Sequence, residues 1–483
     1  MEQNYYGRPP VVPSAATSSA PTPLRPGTPN TDASRNIFDN ADSASNVPGA
    51  GTNPFVSPDA SRPASSFESS SGSPYEEPAE ARGGQRYFHS RLVKKGDIEK
   101  PWLNKVDPKE KWVTILPLLG ILLGLCISGF LIWDGMRSVV KHKYCPVLDE
   151  DFSSGLDPSI WTKEVQVGGF GNGEFEQTTG GDGNVFIGDN GHLMIKATLQ
   201  DANLVEKNNV INLLKDGTCT SKDYYSCVAA TNTTAGNSTI VPPTLSGRLN
   251  TKKGATIKYG RVEVTAKLPV GDWLWPAIWM LPVKDTYGPW PSSGEIDIME
   301  SRGNNHTYAQ GGNNIASSAL HWGPDPANDA WWKTNNKRKS LHTTYSQGFN
   351  TFGLEWSQKY LFTYINSRLL QVTYTNFNKP MWKRGGFPDS TSNGTRLVDI
   401  WSQTGRDNTP FDQEFYLILN LAVGGTNGWF EDGESGKPWL DHSPNAKKDF
   451  WEARDSWYPT WTQPQLEVSR VLITQQCDGD EEL

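Results

Sequence analysis

Beyond residue 145 the chain alternates short runs of apolar and β-branched residues with turns rich in Gly, Asn and Asp. None of it repeats apolar residues over the length of an amphipathic helix, and short runs of this kind are typical of strands. We therefore predict an all-β domain, a β-sandwich of the jelly-roll type. Residues 199–245 are more polar and are interpreted as an insertion. The clearest predicted strands are 193–197, 260–268, 353–356, 360–366 and 415–422.

One apolar run differs from this pattern. Residues 112–133 contain no charged side chain and have a tryptophan at each end. About 20 apolar residues cross a bilayer, and tryptophans are enriched at its interfaces. The alternative is a buried core helix, but the neighbouring sequence offers nothing to cover one. We predict a transmembrane helix at 112–133 that serves as an uncleaved signal anchor, because it lies far from the N-terminus.

Charge and glycosylation motifs predict the orientation of this helix. Cytoplasmic flanks carry an excess of Lys and Arg, and more of them precede the run than follow it: Arg91, Lys94, Lys95, Lys100, Lys105, Lys109 and Lys111 against Arg137, Lys141 and Lys143. The Asn-x-Ser/Thr sequons all follow the run, at Asn232, Asn237, Asn305 and Asn393. We expect a single-pass type II protein of the secretory pathway or plasma membrane. Its domain would be luminal or extracellular, and the lipid bilayer would be a partner.

The N-terminal residues have a different composition. Residues 1–90 are rich in Ser, Pro, Ala and Gly and poor in aliphatic side chains, so we predict a disordered cytoplasmic tail. It could receive phosphorylation or sorting factors, or serve only as a spacer. A basic juxtamembrane segment follows at 91–111. Residues 1–111 carry 13 basic and 13 acidic residues, so the net charge of −8 belongs to the remainder. An acidic globular part argues against nucleic acid as a partner.

Four of the five cysteines follow the apolar run, an even number in an oxidising compartment. Three pairings are possible among them. We expect Cys219 to pair with Cys227, which closes a small loop, and Cys145 with Cys477, which joins the two ends of the domain. A metal site is the alternative, but no CxxC motif or group of histidines accompanies these cysteines.

The candidate chemistry lies at residues 294–300, Gly-Glu-Ile-Asp-Ile-Met-Glu. In an extended strand Glu295 and Asp297 share one face, whereas Glu300 falls on the other face with the isoleucines. A buried, ionised carboxylate there is too costly. We therefore predict a β-bulge near residues 298–299 that returns Glu300 to the face of Glu295.

Three crowded carboxyl groups suit one type of reaction. Crowding raises the pKa of at least one, so that one acid stays protonated while another is ionised. Retaining glycoside cleavage needs such a pair about 5–5.5 Å apart. In a straight strand the α-carbons of residues 295 and 300 would be more than about 10 Å apart, so curvature, the bulge and long side chains have to bring the carboxyls together. The alternative is an acidic edge strand whose charges are merely solvated.

The motif Glu-Ile-Asp-Ile-Met-Glu resembles the signature of family 16 glycoside hydrolases, in the bulged form of laminarinase-type endo-β-1,3-glucanases. Other matches follow in the family's order over residues 145–477, among them Ser-Gly-Arg at 246–248, the tryptophan-rich run 275–282, His-Trp at 321–322 and the run 419–425. The resemblance implies a concanavalin A-like jelly roll in a fungal membrane-anchored form.

The resemblance also implies roles for individual residues. Glu295 becomes the nucleophile, Glu300 the general acid/base and Asp297 the residue between them that tunes the pair. Trp275, Trp279 and His321 are expected along the cleft, with the tryptophans as sugar platforms, although simple core packing is an alternative for each of them. This chemistry needs no cofactor, and no metal is expected in it.

The function implied is retaining hydrolysis, or transglycosylation, of β-1,3-linked glucan in the cell wall. Both reactions pass through the same glycosyl-enzyme, so the sequence leaves them open. A wall-assembly factor for β-1,6-glucan is one alternative, and a non-catalytic β-glucan receptor is another. Receptors of this fold typically lose the paired glutamates, and both are present here, which favours an enzyme.

Overall fold

The computed structural model describes residues 93–94, 96, 98–105, 107–138, 142–234, 239–390 and 394–477. The predicted tail at 1–90, parts of the juxtamembrane segment and the sequon residues Asn237 and Asn393 lie outside the described residues. The chain divides into two compact units, with the boundary between residues 136 and 137.

The N-terminal unit contains one long helix, α1 (Glu110–Ser138), which follows a 3-10 turn at Pro101–Asn104. A stretch within Glu110–Gly135 has a mean hydropathy of 2.6, and apolar side chains such as Leu119 are exposed. Among the described residues this is the one helix that is long and apolar enough to cross a membrane. The predicted span 112–133 lies within it.

The second unit is built mainly of strands. In chain order they are β1 (Tyr144–Glu150), β2 (Thr162–Lys163), β3 (Glu176–Thr178), β4 (Val185–Ile187), β5 (Leu193–Lys196), β6 (Thr198–Leu199), β7 (Asn209–Asn212), β8 (Val228–Thr231), β9 (Thr244–Ser246), β10 (Arg248–Asn250), β11 (Thr256–Ile257), β12 (Gly260–Lys267), β13 (Leu274–Pro282), β14 (Glu295–Glu300), β15 (Ile315–His321), β16 (Asn336–Lys339), β17 (Asn350–Trp356), β18 (Tyr360–Ile365), β19 (Ser367–Asn376), β20 (Phe415–Val423) and β21 (Gln465–Gln476). The short helices are α2 (Ala202–Glu206), α3 (Tyr224–Cys227), α4 (Met381–Gly385), α5 (Ala446–Glu452) and α6 (Arg454–Trp457).

Two eight-stranded antiparallel sheets form the main layers. One has the order β19-β18-β17-β12-β21-β5-β4, with β1 also paired to β21. The other has the order β16-β15-β14-β13-β20-β10-β2, with β11 also paired to β20, and it carries the acidic motif. The predicted all-β jelly roll is confirmed, and the five clearest predicted strands correspond to β5, β12, β17, β18 and β20.

Burial along the strands follows from their position in these layers. Strand β12 alternates buried and half-buried residues, because one of its faces covers the core and the other is polar. Strands β13 and β20 are instead buried at every position. Their second face carries a separate apolar cluster, made of Ala277, Trp279, Leu281, Tyr416 and Ile418. Strands β13 and β20 therefore bury apolar side chains on both faces of this sheet.

The segment 199–245 adds a small lobe to the sandwich. Strands β7 and β8 pair as an antiparallel hairpin, and a cluster of Val167, Leu213 and Cys227 is buried beneath it. A disulfide joins Cys219 to Cys227, and a second joins Cys145 to Cys477 across 332 residues of sequence. These are the two pairings expected from the sequence.

Candidate active site

Strand β14 carries the acidic motif, and a β-bulge interrupts it near the predicted position. Asp297 lies opposite Trp279 of β13, and Glu300 lies opposite Ala277. Two steps along β13 thus correspond to three steps along β14. Because Trp279 and Ala277 are two residues apart, they point to the same side of the sheet, and so do the acids opposite them. The bulge has returned Glu300 to the face of Asp297.

Strand β15 places the first acid on this face as well. Residues at alternate positions of β15 lie opposite the three acids, with the pairs Glu295–His321, Asp297–Ala319 and Glu300–Ser317. The other side of β14 contributes Ile296, Ile298 and Met299 to the main hydrophobic core. The bulge therefore lets two successive apolar residues, at 298 and 299, point inward while all three acids share the opposite face.

Each glutamate accepts a hydrogen bond from a different tryptophan. The indole Nε1 of Trp290 donates to Glu295 Oε2 at 2.6 Å, and that of Trp275 donates to Glu300 Oε1 at 3.0 Å. Hydrogen bonds to an ionised acceptor are stronger than those to a neutral one. Each indole can thus stabilise the carboxylate form of its own glutamate.

The central acid contacts a histidine that lies between two carboxylates. His321 Nε2 is 3.2 Å from Asp297 Oδ2, and its Nδ1 is 2.5 Å from Asp329 Oδ2. Asp329 also accepts the backbone N–H of Trp322 through Oδ1, at 3.1 Å. The imidazole is thereby held in one orientation against the acidic strand.

Burial and neighbouring charge set the protonation of these groups. Burial and the negative charge of Asp297 raise the pKa of Glu300 to about 8. The same two causes raise the pKa of Glu295 well above its ordinary value, against the opposing effects of His321 and Trp290. Burial lowers the pKa of His321, but hydrogen bonds to Asp297 and Asp329 outweigh it, so that this pKa lies well above its ordinary value. The surroundings therefore favour the cationic form of His321 and the neutral form of Glu300.

Glu295, Asp297 and His321 also have atoms that metals prefer as ligands. One such atom from each lies within 4.8 Å of the others, a spacing that could hold a cation. The ion pair between Asp297 and His321 accounts for part of this close approach.

Comparison with known proteins bears on this arrangement. The profile described as "Glycosyl hydrolases family 16" matches residues 203–413, which include the acidic motif. The "Beta-1,3-glucan-binding protein" of Penaeus monodon is 37% identical over 343 residues, which cover 68% of this chain and 88% of that protein. The chain belongs to glycosyl hydrolase family 16.

Two further similarities concern glucanases. The "Glucan endo-1,3-beta-glucosidase A1" of Niallia circulans is 29% identical over 57% of this family 16 chain, and the match spans 33% of that protein's length. The laminarinase catalytic domain of Thermotoga maritima aligns with 70% of this chain and 100% of its own, at 22% identity and a TM-score of 0.44. Relatives of this chain thus carry the names of both glucan-binding proteins and glucanases.

The substrate-binding residues expected for a family 16 chain differ in the contacts that they make. Trp275 and His321 contact Glu300 and Asp297 directly, as described above. Trp279 is buried, and its Nε1 donates to Asn420 Oδ1 at 2.7 Å. The guanidinium carbon of Arg248 lies 4.7 Å from the centre of the Trp279 ring. Trp279 therefore shares the face of the acids, but its indole N–H is bonded to Asn420.

Several residues around the acids were not predicted from the sequence. Trp290 and Asp329 lie in loops, where no periodicity indicates which way a side chain points. Trp429 stacks on Trp275 with ring centres 4.9 Å apart, and the guanidinium carbon of Arg302 lies 4.0 Å from the Trp429 ring centre. Only proximity in sequence could have indicated Trp290 and Arg302. Trp290 is five residues from the first acid, and Arg302 is two residues from the last.

Proposed function

We propose that this protein binds β-1,3-linked glucan and cleaves it with retention of configuration. The observation that supports this most is the bulge in β14, which sets Glu295 and Glu300 on one face with separate indole partners and leaves Glu300 protonated at neutral pH. A retaining mechanism requires two carboxyl groups at one site, one as the nucleophile and one as the proton donor. The substrate class, β-1,3-linked glucan, is proposed from the names of the Penaeus monodon and Niallia circulans relatives.

In the proposed first step, the Glu295 carboxylate attacks the anomeric carbon as the glycosidic C–O bond breaks. Glu300 gives its proton to the departing oxygen, and its new carboxylate is stabilised by the N–H of Trp275. Burial opposes ionisation of Glu295. The positive charge of His321 and the N–H of Trp290 favour ionisation of Glu295. These two groups are therefore assigned to stabilising the nucleophile.

In the second step Glu300 removes a proton from an incoming hydroxyl, which attacks the anomeric carbon and releases Glu295. Two inversions leave a β-configured product. Water as the acceptor gives hydrolysis, and the hydroxyl of another glucan chain gives transglycosylation. Asp297 is assigned to tuning the pair, because it contacts both Glu295 and His321.

A glucan-binding protein without hydrolytic activity is the second candidate. It is favoured by the name of the Penaeus monodon relative, "Beta-1,3-glucan-binding protein", which is 37% identical to this chain. The two candidates differ in whether the paired glutamates turn over a bound glucan.

The deciding experiment is incubation of the full chain, purified in detergent, with laminarin, lichenan and β-1,6-glucan oligomers, followed by sizing of the products. We expect shorter or transferred products from laminarin, with the Glu295→Gln variant inactive and the surface variant Glu452→Gln fully active. Binding of laminarin without any product would favour the second candidate. Products from the β-1,6 oligomers alone would favour the wall-assembly alternative.

For the molecule as a whole, we infer that residues 145–477 form the catalytic domain, with 199–245 as its insertion. Helix α1 would anchor the domain to a membrane through residues 112–133. The basic segment at 91–111 and the tail at 1–90 would face the cytoplasm, while the domain acts on a wall polysaccharide on the other side. The two disulfides support a luminal or extracellular domain.

A further inference from the structure

Two adjacent tryptophans next to the acidic strand are exposed to solvent. Trp331 and Trp332 lie in a 3-10 turn, Trp331–Lys333, between β15 and β16, and their exposed fractions are 45% and 63%. Every other tryptophan in the described part of residues 142–477 is buried or half-buried. Exposed indoles in one place mark binding surfaces more often than isolated exposed aliphatic residues do.

The turn is linked to the catalytic centre by direct contacts. The ring of Trp331 stacks on His321, with ring centres 6.2 Å apart and an angle of 26° between the planes. Trp290, which donates to Glu295, lies beside the same imidazole, with ring centres 5.7 Å apart. Trp331 therefore contacts His321 directly, and His321 contacts Asp297.

The turn is also held rigidly. Asp329 Oδ1 accepts the backbone N–H of Trp331 at 3.2 Å, while Oδ2 of the same carboxylate holds His321. Lys333 Nζ donates to the carbonyl oxygens of Arg384 and Gly385 at the end of α4. The backbone of the turn is thus held in place before a ligand binds, which avoids the entropic cost of ordering a loop.

The chemistry of the surface limits what it can bind. Indole rings stack on the flat C–H faces of sugars, and they need no charge on the ligand. In the proposed function a glucan chain is already held at Glu295 and Glu300, and its next residues would extend past His321. A protein partner is less favoured, because two ring faces make a far smaller area than the roughly 800 Å² per partner of a stable interface.

We propose that Trp331 and Trp332 form an additional glucan-binding subsite, which stacks on sugar units of the chain beyond those that contact the three acids. This inference rests on the proposed function. It predicts that affinity increases with the length of the oligosaccharide until the chain reaches the turn, and that the increase depends on these two indoles.

The test measures binding to the full-length Glu295→Gln protein in detergent, so that turnover does not interfere. Laminari-oligosaccharides of increasing length are titrated by calorimetry against this protein and against its combinations with Trp331→Ala, Trp332→Ala and Trp332→Tyr. Tyr225→Ala, in which an exposed aromatic residue of the insertion is removed, is the matched control.

We expect Trp332→Ala to lower the affinity for the longest oligosaccharide about tenfold, which corresponds to about 1.4 kcal/mol. The ratio between long-chain and short-chain affinity should fall with it, and Trp332→Tyr should restore most of that ratio.

The outcomes separate the subsite from the proposed function. An unchanged ratio in both alanine variants, or an equal loss at every chain length, overturns the subsite while glucan binding itself stands. A loss of the same size in Tyr225→Ala also overturns it, because the effect would then not be specific to the turn. If the Glu295→Gln protein binds no laminari-oligosaccharide of any length, the proposed function fails, and the subsite fails with it.

Discussion

At the scale of single residues, the main feature is that two buried carboxyl groups beside Asp297 each accept a hydrogen bond from a separate tryptophan. Glu295 and Glu300 occur in one strand and face one way, yet each has its own indole partner. His321 adds a positive charge close to Asp297. In the proposed mechanism one of these carboxyl groups acts as the nucleophile and the other as the acid.

Replacement by glutamine should have different effects at the two glutamates. Glu295→Gln removes the nucleophile, so activity on laminarin should fall by several orders of magnitude while the melting temperature changes little. Glu300→Gln removes the proton donor, which costs about 10²–10⁴-fold on laminarin. Aryl glycosides with good leaving groups should be partly spared, and azide should restore turnover. An NMR time course that shows an α-configured first product would contradict the mechanism.

The raised pKa of Glu300 predicts a pH dependence of activity and of stability. Activity should decline above about pH 8, as the acid loses its proton. The native state binds this proton more tightly than the unfolded state, so the free energy of unfolding should fall as pH rises from the ordinary value of 4.5 to about 8. Urea unfolding at a series of pH values measures this. In Glu300→Gln the decline should be shallower, and an identical slope would show that other groups cause it.

At the scale of elements, the bulge in β14 reconciles two requirements that a regular strand cannot meet together. The strand has to give Ile298 and Met299 to the core while it keeps Glu300 on the opposite face. One extra residue changes the phase of the alternation. This was predictable because burying an ionised carboxylate costs more than a local break in the hydrogen-bonded ladder.

The sheet on the other side of the core offers a test of packing. A Cβ atom at Gly353 of β17 would lie 2.2 Å from Cζ of Tyr364, whose hydroxyl donates to Glu263 at 2.6 Å. Tyr364 is buried and has little room to move, so Gly353→Ala should destabilise the fold by about 1–3 kcal/mol. Gly348→Ala is the control, because nothing lies within 4 Å of its added Cβ. Equal unfolding midpoints for the two variants would disprove the close contact.

At the scale of the whole molecule, an apolar helix precedes a disulfide-bonded β domain. Exposed sequon residues occur on that domain, at Asn232 and Asn305, each followed two positions later by a threonine whose backbone N–H donates to the asparagine side chain. Oxidised cysteines and accessible sequons suit a domain outside the cytoplasm.

The proposed topology can be tested in sealed microsomes. Protease added outside should remove residues 1–111 and leave a protected fragment that contains the β domain. Endoglycosidase should then increase the mobility of this fragment, whereas a double variant with glutamine at positions 232 and 305 should show a smaller change. Degradation of the β domain without detergent would mean that the orientation is reversed.

The sequence by itself determined the features that depend on neighbouring residues. Short apolar and β-branched runs between turns indicated the strands, the length of the apolar run indicated the helix, and the phase conflict in residues 295–300 indicated the bulge. The tertiary structure alone decided which loop side chains reach the acids. Trp290 contacts Glu295, and Asp329 contacts His321, because separate loops meet on one face of a sheet. Asp329 also holds the exposed turn at Trp331. Loops have no periodicity that encodes direction, so their contacts depend on the packing of the complete fold.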